Sequence, residues 1–267
     1  MNRSARFLLH RATLIAFVLT ATSLTCRPGS AADEHGIQSK DEHGIQSKDE
    51  HGIDSQAGFE SIFDGKTLQG WEATPVGTDD AWQVIDGTIV GTGRKARGYL
   101  NYAGNKNIAD LEMKFSYRFP GKGNSGVSIR AIPDPTKKRD FQSYHADLGQ
   151  LGIGKQVLGA WDFHTPGRKE HRCFRGDRLV IDVNDQPQIT SIKNGLQDSD
   201  IRPRAWNDVH IIARDNHFQL YINDKLASEF TEHLPNEKRL KRGLLQLQLH
   251  DPDMVVEFKD IRLKVLK

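Results

Sequence analysis

The chain has 267 residues and a formal net charge of +2, since 37 lysine and arginine residues nearly balance 35 aspartate and glutamate residues. This length is enough for one large domain or two small ones. The even balance excludes the basic field typical of nucleic-acid-binding proteins and the acidic tract of a solvating tail. Glycine is abundant, at 24 residues, and the periodic segments are short, which favours β structure over helix bundles.

The N-terminus has the pattern of a secretory signal peptide. Arginines precede a short apolar run, and the small residues GSAA follow it up to Ala32. We expect residues 1–32 to be removed and the protein to be exported to the periplasm or the extracellular space. No integral membrane span is expected to remain, because the apolar run is too short for one. The alternative is a lipoprotein attached through Cys26. After cleavage at Ala32, Cys173 is the only cysteine, so no internal disulfide can form.

Residues 33–57 carry three copies of an eight-residue repeat, DEHGIQSK twice and then DEHGIDSQ. Each copy has a single apolar residue, so the segment cannot bury enough surface to offset the entropy of ordering it. The repeat therefore predicts a disordered linker. The alternative is a metal-scavenging tail that uses His35, His43 and His51.

Residues 58–267 show an alternation of apolar and polar residues with period two, and no segment shows a sustained helical stripe. The first hairpin is predicted within 82–91, with Asp86-Gly87 as its two-residue turn. Further strands are predicted within 111–119, 121–132, 141–149, 206–230, 243–253 and 255–266. Many short strands separated by Gly, Asn and Asp turns predict one all-β domain, an antiparallel two-sheet sandwich or jelly roll.

Three of these strands carry unusual residues on the face that is not apolar. Their polar members are Ser128, Arg130, Ser143, His145, Asp147, Gln246, Gln248 and His250. These faces contain few lysines and glutamates, the usual residues of a solvated face. Amide, imidazole, guanidinium and carboxyl groups suit a polyhydroxylated ligand in a groove. The alternative is a polar convex surface or a set of cross-strand hydrogen-bonded pairs.

The stretch GFESIFDGKTLQGWEA, residues 58–73, resembles the opening of the 3-keto-disaccharide hydrolase domain family, formerly a domain of unknown function. The resemblance continues through WQVIDGTIVGTG, FQSYHADLG and GLLQLQLHDPD to the end of the chain. It implies a concanavalin-like jelly roll, similar to the glucanases, that acts on 3-keto-glycosides. The chain departs from the family at His145, where many members have glutamine. In LGIGKQVLGAWDFHTPGR only Asp162 and Arg168 match. The glucanase pair of glutamates is absent, so a two-carboxylate retaining mechanism is not expected.

The resemblance implies an exported hydrolase for a small-molecule oxidised glycoside. A ketone at C3 acidifies the hydrogen on C2, so a base removes it, the C1 aglycone leaves by elimination, and water adds back. His145, His250 and Asp147 are the candidate base and acid, and Arg130 is the candidate electrophile for the ketone or enolate. A divalent metal ion held by the same two histidines and Asp147 is the one candidate cofactor. The residues expected to bind substrate are Ser128, Gln246, Gln248, Trp161, Asp162 and Arg168.

Two other classes of function are compatible with the sequence. One is a non-catalytic carbohydrate-binding module with the same groove, in which Trp161 and Trp82 would stack on a sugar ring. The other is a structural or interaction domain whose polar faces are simply solvated. Release of reducing sugar from a 3-keto-glycoside would distinguish the enzyme from both. The sequence leaves the aglycone, the linkage and the oligomeric state open.

Overall fold

A computed structural model of the chain describes residues 57–75, 78–93, 97–154, 156–165, 168 and 170–267. The predictions for the signal peptide, Cys26 and the eight-residue repeat lie outside these residues. Within the described ranges, the helices are 3-10 turns at Asp79–Ala81, Asp198–Asp200 and Asn236–Lys238. None of the helices found there has the length and apolar character to cross a membrane.

The described residues form two β-sheets. The strands are β1 (Glu60–Ser61), β2 (Trp71–Thr74), β3 (Trp82–Ile85), β4 (Thr88–Thr92), β5 (Gly98–Tyr102), β6 (Leu111–Arg118), β7 (Gly126–Pro133), β8 (Phe141–Asp147), β9 (Trp161–His164), β10 (Asp177–Ile181), β11 (Pro187–Ser191), β12 (Asn207–Arg214), β13 (His217–Ile222), β14 (Lys225–Glu232), β15 (Leu244–Leu249) and β16 (Val255–Val265). The ten-stranded sheet has the order β11-β10-β14-β13-β12-β6-β16-β4-β3, with β1 beside β16, and the six-stranded sheet has the order β2-β5-β15-β7-β8-β9. Pairing is antiparallel apart from β10 with β14, which confirms the predicted all-β jelly roll.

The hairpin that the sequence predicts first is present. Ile85 pairs with Thr88 across the turn. Asp86 and Gly87 have φ values of 48° and 75°, the left-handed conformation that a two-residue turn of this type needs. Aspartate tolerates this conformation and glycine adopts it without steric cost, so the dipeptide sets the register of β3 against β4.

One hydrophobic core lies between the two sheets, and aromatic rings from both sheets form much of it. Tyr144 of the six-stranded sheet packs at 4.8 Å from Phe218 of the ten-stranded sheet, and Phe163 packs at 4.7 Å from Phe230. All four side chains are almost completely buried. Removing one such ring by substitution with alanine costs about 3 to 5 kcal/mol, because the transfer free energy and a cavity add.

The opposite face of the six-stranded sheet carries the polar residues that alternate with this core. The strand registers align five of them, from neighbouring strands, in one line across the sheet: Asn101, Gln246, Ser128, His145 and Asp162. We call this set the polar row. Its inner members are buried, with Ser128 and Gln246 at 0% exposure and His145 at 2%. The polar row is therefore not a solvated surface, and two of its members, His145 and Asp162, line a cleft.

Arg130 does not lie on this face, and its predicted place there is wrong. A β-bulge between Ile129 and Ile132 breaks the alternation of β7, and Arg130 has a φ of 50°. Its guanidinium donates hydrogen bonds to the carbonyl oxygens of Ala109, Asp215 and Leu240 and pairs with Asp110 at 2.8 Å. It also lies 4.8 Å from the centre of the Phe218 ring. Arg130 is thus a structural residue at one end of the sandwich, and the bulge is the reason that period-two reasoning misplaced it.

Cys173 is fully buried and has a free thiol. Its Sγ lies 3.2 Å from the carbonyl oxygen of Glu229. Burial raises the pKa of this thiol far above its ordinary value, so the group is an inert part of the core.

Candidate functional site

A cleft of about 240 Å³ opens above the polar row. The structure brings together around it six residues of the predicted site: His145, Asp147, Trp161, Asp162, Gln248 and His250. Each polar member lies on β8, β9 or β15 or directly after it. The alternation of these strands predicted their common face, and the sheet order β15-β7-β8-β9 explains why they converge.

Other predicted residues lie elsewhere. Ser128 and Gln246 are buried in the floor, where the Gln246 amide donates to Asn101 Oδ1 at 2.8 Å. Arg168 is a structural residue, because its guanidinium pairs with the buried carboxylate of Glu232 at 3.1 Å and does not line the cleft. Trp161 contacts the cleft, but it is 1% exposed and packs edge-on against Phe230 at 5.4 Å, so it cannot stack on a sugar.

Trp82 is likewise a core residue, with 2% of its surface exposed. Its ring lies against the Gly91 backbone of the neighbouring strand. Neither tryptophan therefore provides the stacking platform that the binding-module alternative requires.

The first reactive pair in the cleft is Asp147 with His145. His145 Nε2 lies 3.6 Å from Asp147 Oδ1 and has no hydrogen-bond partner within the described residues. Burial, with the nearby Asp162 carboxylate adding to it, raises the pKa of Asp147 well above its ordinary value. Burial, with the charge of His164 adding to it, lowers the pKa of His145 well below its ordinary value. Both shifts favour the uncharged forms, a protonated carboxyl group on Asp147 and a neutral imidazole on His145.

The second pair is Asp162 with His164. His164 Nε2 lies 3.7 Å from Asp162 Oδ2. Burial works to raise the pKa of Asp162, but the neighbouring His164 and Glu170 side chains outweigh it and lower that pKa. Glu170 has the opposite shift, since the hydrogen bond that it shares with Asp162, together with its own burial, raises its pKa. The shift favours the ionised form of Asp162, on the strand next to Asp147, whose own shift favours the protonated form.

Two serines connect these pairs beneath the cleft. Ser128 Oγ is 2.9 Å from His145 Nδ1, and Ser143 Oγ donates to Ser128 Oγ at 3.3 Å. Ser143 Oγ is in turn 3.5 Å from His164 Nδ1. The two imidazole rings stack with centroids 4.9 Å apart and an angle of 15°. The six side chains form a continuous polar chain, so the orientation of each histidine is set by the serine behind it and the aspartate in front of it.

Gly126 makes room for this arrangement. A Cβ atom at Gly126 would lie 2.2 Å from His145 Nε2 and 2.5 Å from the carbonyl oxygen of Ala146. The imidazole of His145 thus rests directly on the backbone of β7, where only glycine permits so close an approach. Because Gly126 pairs with Asp147, the ring leans towards that carboxyl group.

His250 holds an arginine and is not a free acid or base. Its Nε2 accepts a hydrogen bond from Arg97 Nη2 at 2.8 Å, and its Nδ1 lies 2.6 Å from Asp251 Oδ1. Both nitrogens are engaged, so the predicted acid–base role of His250 is replaced by a positioning role. Arg97 lines the cleft, and its charge helps to lower the pKa of His145. Arg97 therefore occupies the place over the polar face that sequence reasoning gave to Arg130.

Four cationic or titratable residues of the cleft were not predicted from the sequence: Arg97, Arg139, His164 and Arg172. His164 shares the parity of Asp162 in the strand WDFH, a signal that could have been used. Arg97 precedes β5 and belongs to no alternating pattern, so no periodicity identifies it. In the described part of the chain, no three His, Cys, Asp or Glu side chains are grouped so that they could hold a metal ion.

Comparisons with known proteins agree with this architecture. Two solved structures from Parabacteroides distasonis, both provisionally assigned as glycosyl hydrolases, share the fold. The first has 20% identity and a TM-score of 0.54, covering 79% of this chain and 94% of the other. The second has 16% identity and a TM-score of 0.50, covering 78% of this chain and 99% of the other. A comparison with curated protein sequences finds no match. The family model described as 3-keto-alpha-glucoside-1,2-lyase-like domain matches residues 58–264, and the chain belongs to this family.

Proposed function

We propose that this carbohydrate-active β-sandwich cleaves 3-keto-glycosides by base-assisted elimination across C1 and C2, followed by hydration of the product. Membership of the 3-keto-alpha-glucoside-1,2-lyase-like family supports the substrate class and the elimination step. The observation that carries the proposal is that two carboxyl groups, Asp147 on β8 and Asp162 on β9, line one cleft. The opposite directions of their pKa shifts support it. Neighbouring titratable groups with separated pKa values are the mark of an acid–base pair.

The elimination requires three groups. A base takes the proton from C2, the electron pair of that C–H bond forms the C1=C2 double bond, and the C1–O bond breaks. The leaving oxygen takes a proton from an acid and departs as the aglycone alcohol. Negative charge develops on the C3 oxygen in the transition state, so a donor placed there lowers the barrier.

The cleft supplies all three groups. The ionised Asp162 is the base, and it is the more accessible carboxyl group, with 27% of its side chain exposed against 11% for Asp147. The protonated Asp147 is the acid. Arg97, held by His250, is the donor to the C3 oxygen. His145 Nε2 is itself shielded from solvent, so His145 acts through Asp147 as a positioning residue.

The test is the product and the isotope effect of the reaction. The purified protein is incubated with p-nitrophenyl 3-keto-α-glucoside, and the aglycone and the sugar are followed together by absorbance and NMR. We expect a 3-keto sugar with a C1=C2 double bond to form before its hydrate, and deuterium at C2 to slow aglycone release. Release without a C2 isotope effect and without the unsaturated product would contradict elimination. Saturable binding of glycosides without any release would establish the binding module instead.

A further inference from the structure

Three arginine side chains line the cleft, and the described residues balance only part of their charge: Arg97, Arg139 and Arg172. Arg97 donates to the imidazole of His250. Arg172 has an ionic contact of 3.8 Å with Glu170 and keeps 62% of its side chain exposed. In the described part of the chain, the side chain of Arg139 makes no hydrogen bond or ion pair.

The partners of these arginines leave part of the charge available to a ligand. The contact of Arg172 with Glu170 is long, at 3.8 Å, and most of the Arg172 side chain is exposed. Within the described residues, the Arg139 side chain lines the cleft without an ion pair. The raised pKa of Asp147 favours its protonated form, which adds to the positive character of the cleft. A site of this kind attracts an anion, and low-dielectric walls focus its field.

Arg139 and Arg172 act on the same part of the cleft although they come from separate segments. Arg139 lies in the loop between β7 and β8, and Arg172 follows β9. Both side chains line the cleft, and the charge of each lowers the pKa of Glu170. Planar guanidinium groups bind carboxylates and phosphates with two parallel hydrogen bonds, and two such groups at one wall form a clamp for an anion.

We propose that the substrate of this cleft is an anionic 3-keto-glycoside, whose carboxylate or phosphate is bound by Arg139 and Arg172. The inference rests on the proposed function and adds the class of substrate to it. The reacting carbons C1 to C3 lie over the two aspartates and Arg97. The anionic group therefore belongs to the aglycone or to C6, the parts of the molecule that extend away from those carbons.

Two matched pairs of substrates show whether the anionic group belongs to the aglycone or to C6. p-Carboxyphenyl 3-keto-α-glucoside is compared with its p-carbamoylphenyl analogue, which is neutral and similar in size. Phenyl 3-keto-α-glucuronide is compared with phenyl 3-keto-α-glucoside. We expect KM to be about tenfold lower for the charged member of one pair, a preference that added salt weakens, since charge-assisted hydrogen bonds at a partly exposed site are screened.

The double variant Arg139→Gln/Arg172→Gln should abolish this preference, so that the ratio of the KM values for the charged and neutral members becomes about one. The control is Arg214→Gln, which removes an exposed arginine from the outer face of the ten-stranded sheet. Equal KM values within both pairs, or a preference that survives in the double variant, would overturn the inference.

A binding measurement separates this inference from the proposed function. Calorimetry with the unoxidised p-carboxyphenyl α-glucoside and α-glucuronide requires no turnover. Arginine-dependent binding of one of them without cleavage of any 3-keto-glycoside would retain the anion site and reject the elimination. Cleavage of 3-keto-glycosides without any charge preference in either pair would retain the elimination and reject the anion site.

Discussion

On both outer faces of the sandwich, polar residues alternate with core residues. The pKa values of Glu112 on one face and Asp147 on the other are nevertheless shifted in opposite directions. On the ten-stranded sheet, charged side chains pair with one another: Glu112 contacts Arg214 at 2.8 Å and His210 at 3.1 Å. The pKa of Glu112 is lowered, because hydrogen bonds from Arg214 and His210 outweigh the effect of its burial. On the six-stranded sheet, Asp147 has no cationic partner as close and its pKa is raised. Glu112 on the ten-stranded sheet is thus neutralised by its cationic partners. Asp147 on the six-stranded sheet is not paired in this way, and it is the group that we propose as the acid.

The largest expected difference between the faces is catalytic. Asp162→Asn removes the proposed base, so kcat for 3-keto-α-glucosides should fall by about 10²- to 10⁴-fold. Glu112→Gln removes a carboxylate of the paired face and should leave kcat within about twofold of the wild type. Steady-state kinetics on both variants measure the contrast. Similar kcat values in the two variants would show that the cleft carboxylate takes no part in the reaction.

Two arginines, one half-buried and one fully buried, give the next contrast. Arg97→Met removes the proposed donor to the C3 oxygen and should lower kcat by about 10²- to 10³-fold with little change in the melting temperature. Arg130→Met leaves the carbonyl groups of Ala109, Asp215 and Leu240 without their donor and should cost about 3 kcal/mol of stability. Kinetics combined with chemical denaturation separate the two effects. An active Arg97 variant together with a fully stable Arg130 variant would contradict the catalytic role of Arg97 and the structural role of Arg130.

Gly126 offers a smaller, geometric perturbation. A Cβ atom at this position would displace the imidazole of His145, so Gly126→Ala should lower kcat by about tenfold or more and shift its pH dependence. Gly121→Ala is the matched control, because no heavy atom lies within 4 Å of the Cβ position there. A shifted pH profile is the readout that distinguishes misplaced acid–base groups from a merely loosened fold. An unchanged profile in the Gly126 variant would remove His145 from the mechanism.

The smallest expected effect is on stability, and its sign differs between the faces. The raised pKa of Asp147 favours protonation in the folded state, so this group lowers stability as the pH rises from about 4 towards its folded pKa. Asp147→Asn should therefore raise the melting temperature at pH 8 by about 3 °C and leave it unchanged at pH 3.5.

Glu112 provides the opposite case. Its lowered pKa contributes stability above the unfolded pKa, and this contribution is lost as the pH falls through the folded pKa. Glu112→Gln should lower the melting temperature at pH 8 by about 1 °C or less, since exposed ion pairs contribute little. Thermal unfolding across the pH range tests both variants. If the melting temperatures of the two variants depended on pH in the same way, the opposite pKa shifts of Asp147 and Glu112 would be contradicted.

The alternation of polar and apolar residues and the turn residues predicted those features that depend only on short stretches of sequence. The alternation in FQSYHADLG and GLLQLQLH placed His145, Asp147 and Gln248 on one face correctly, and Asp86-Gly87 fixed the first hairpin. Arg130 was misplaced because a bulge is set by tertiary packing and has no signature in the alternation. Arg97 was missed because loop residues reach a site through the fold as a whole. The burial that separates the two aspartate pKa values is likewise a tertiary property, so no sequence pattern predicts it.

The most direct test of the central claim is the ionisation of the two cleft aspartates. Carboxyl carbons of ¹³C-labelled aspartate are titrated by NMR in the wild type, in Asp147→Asn and in Asp162→Asn, which assign the two signals. We expect the Asp147 carboxyl group to titrate well above the ordinary range for aspartate and the Asp162 carboxyl group to titrate below it. Two signals that both titrate with ordinary aspartate pKa values would contradict the assignment of an acid and a base to this cleft.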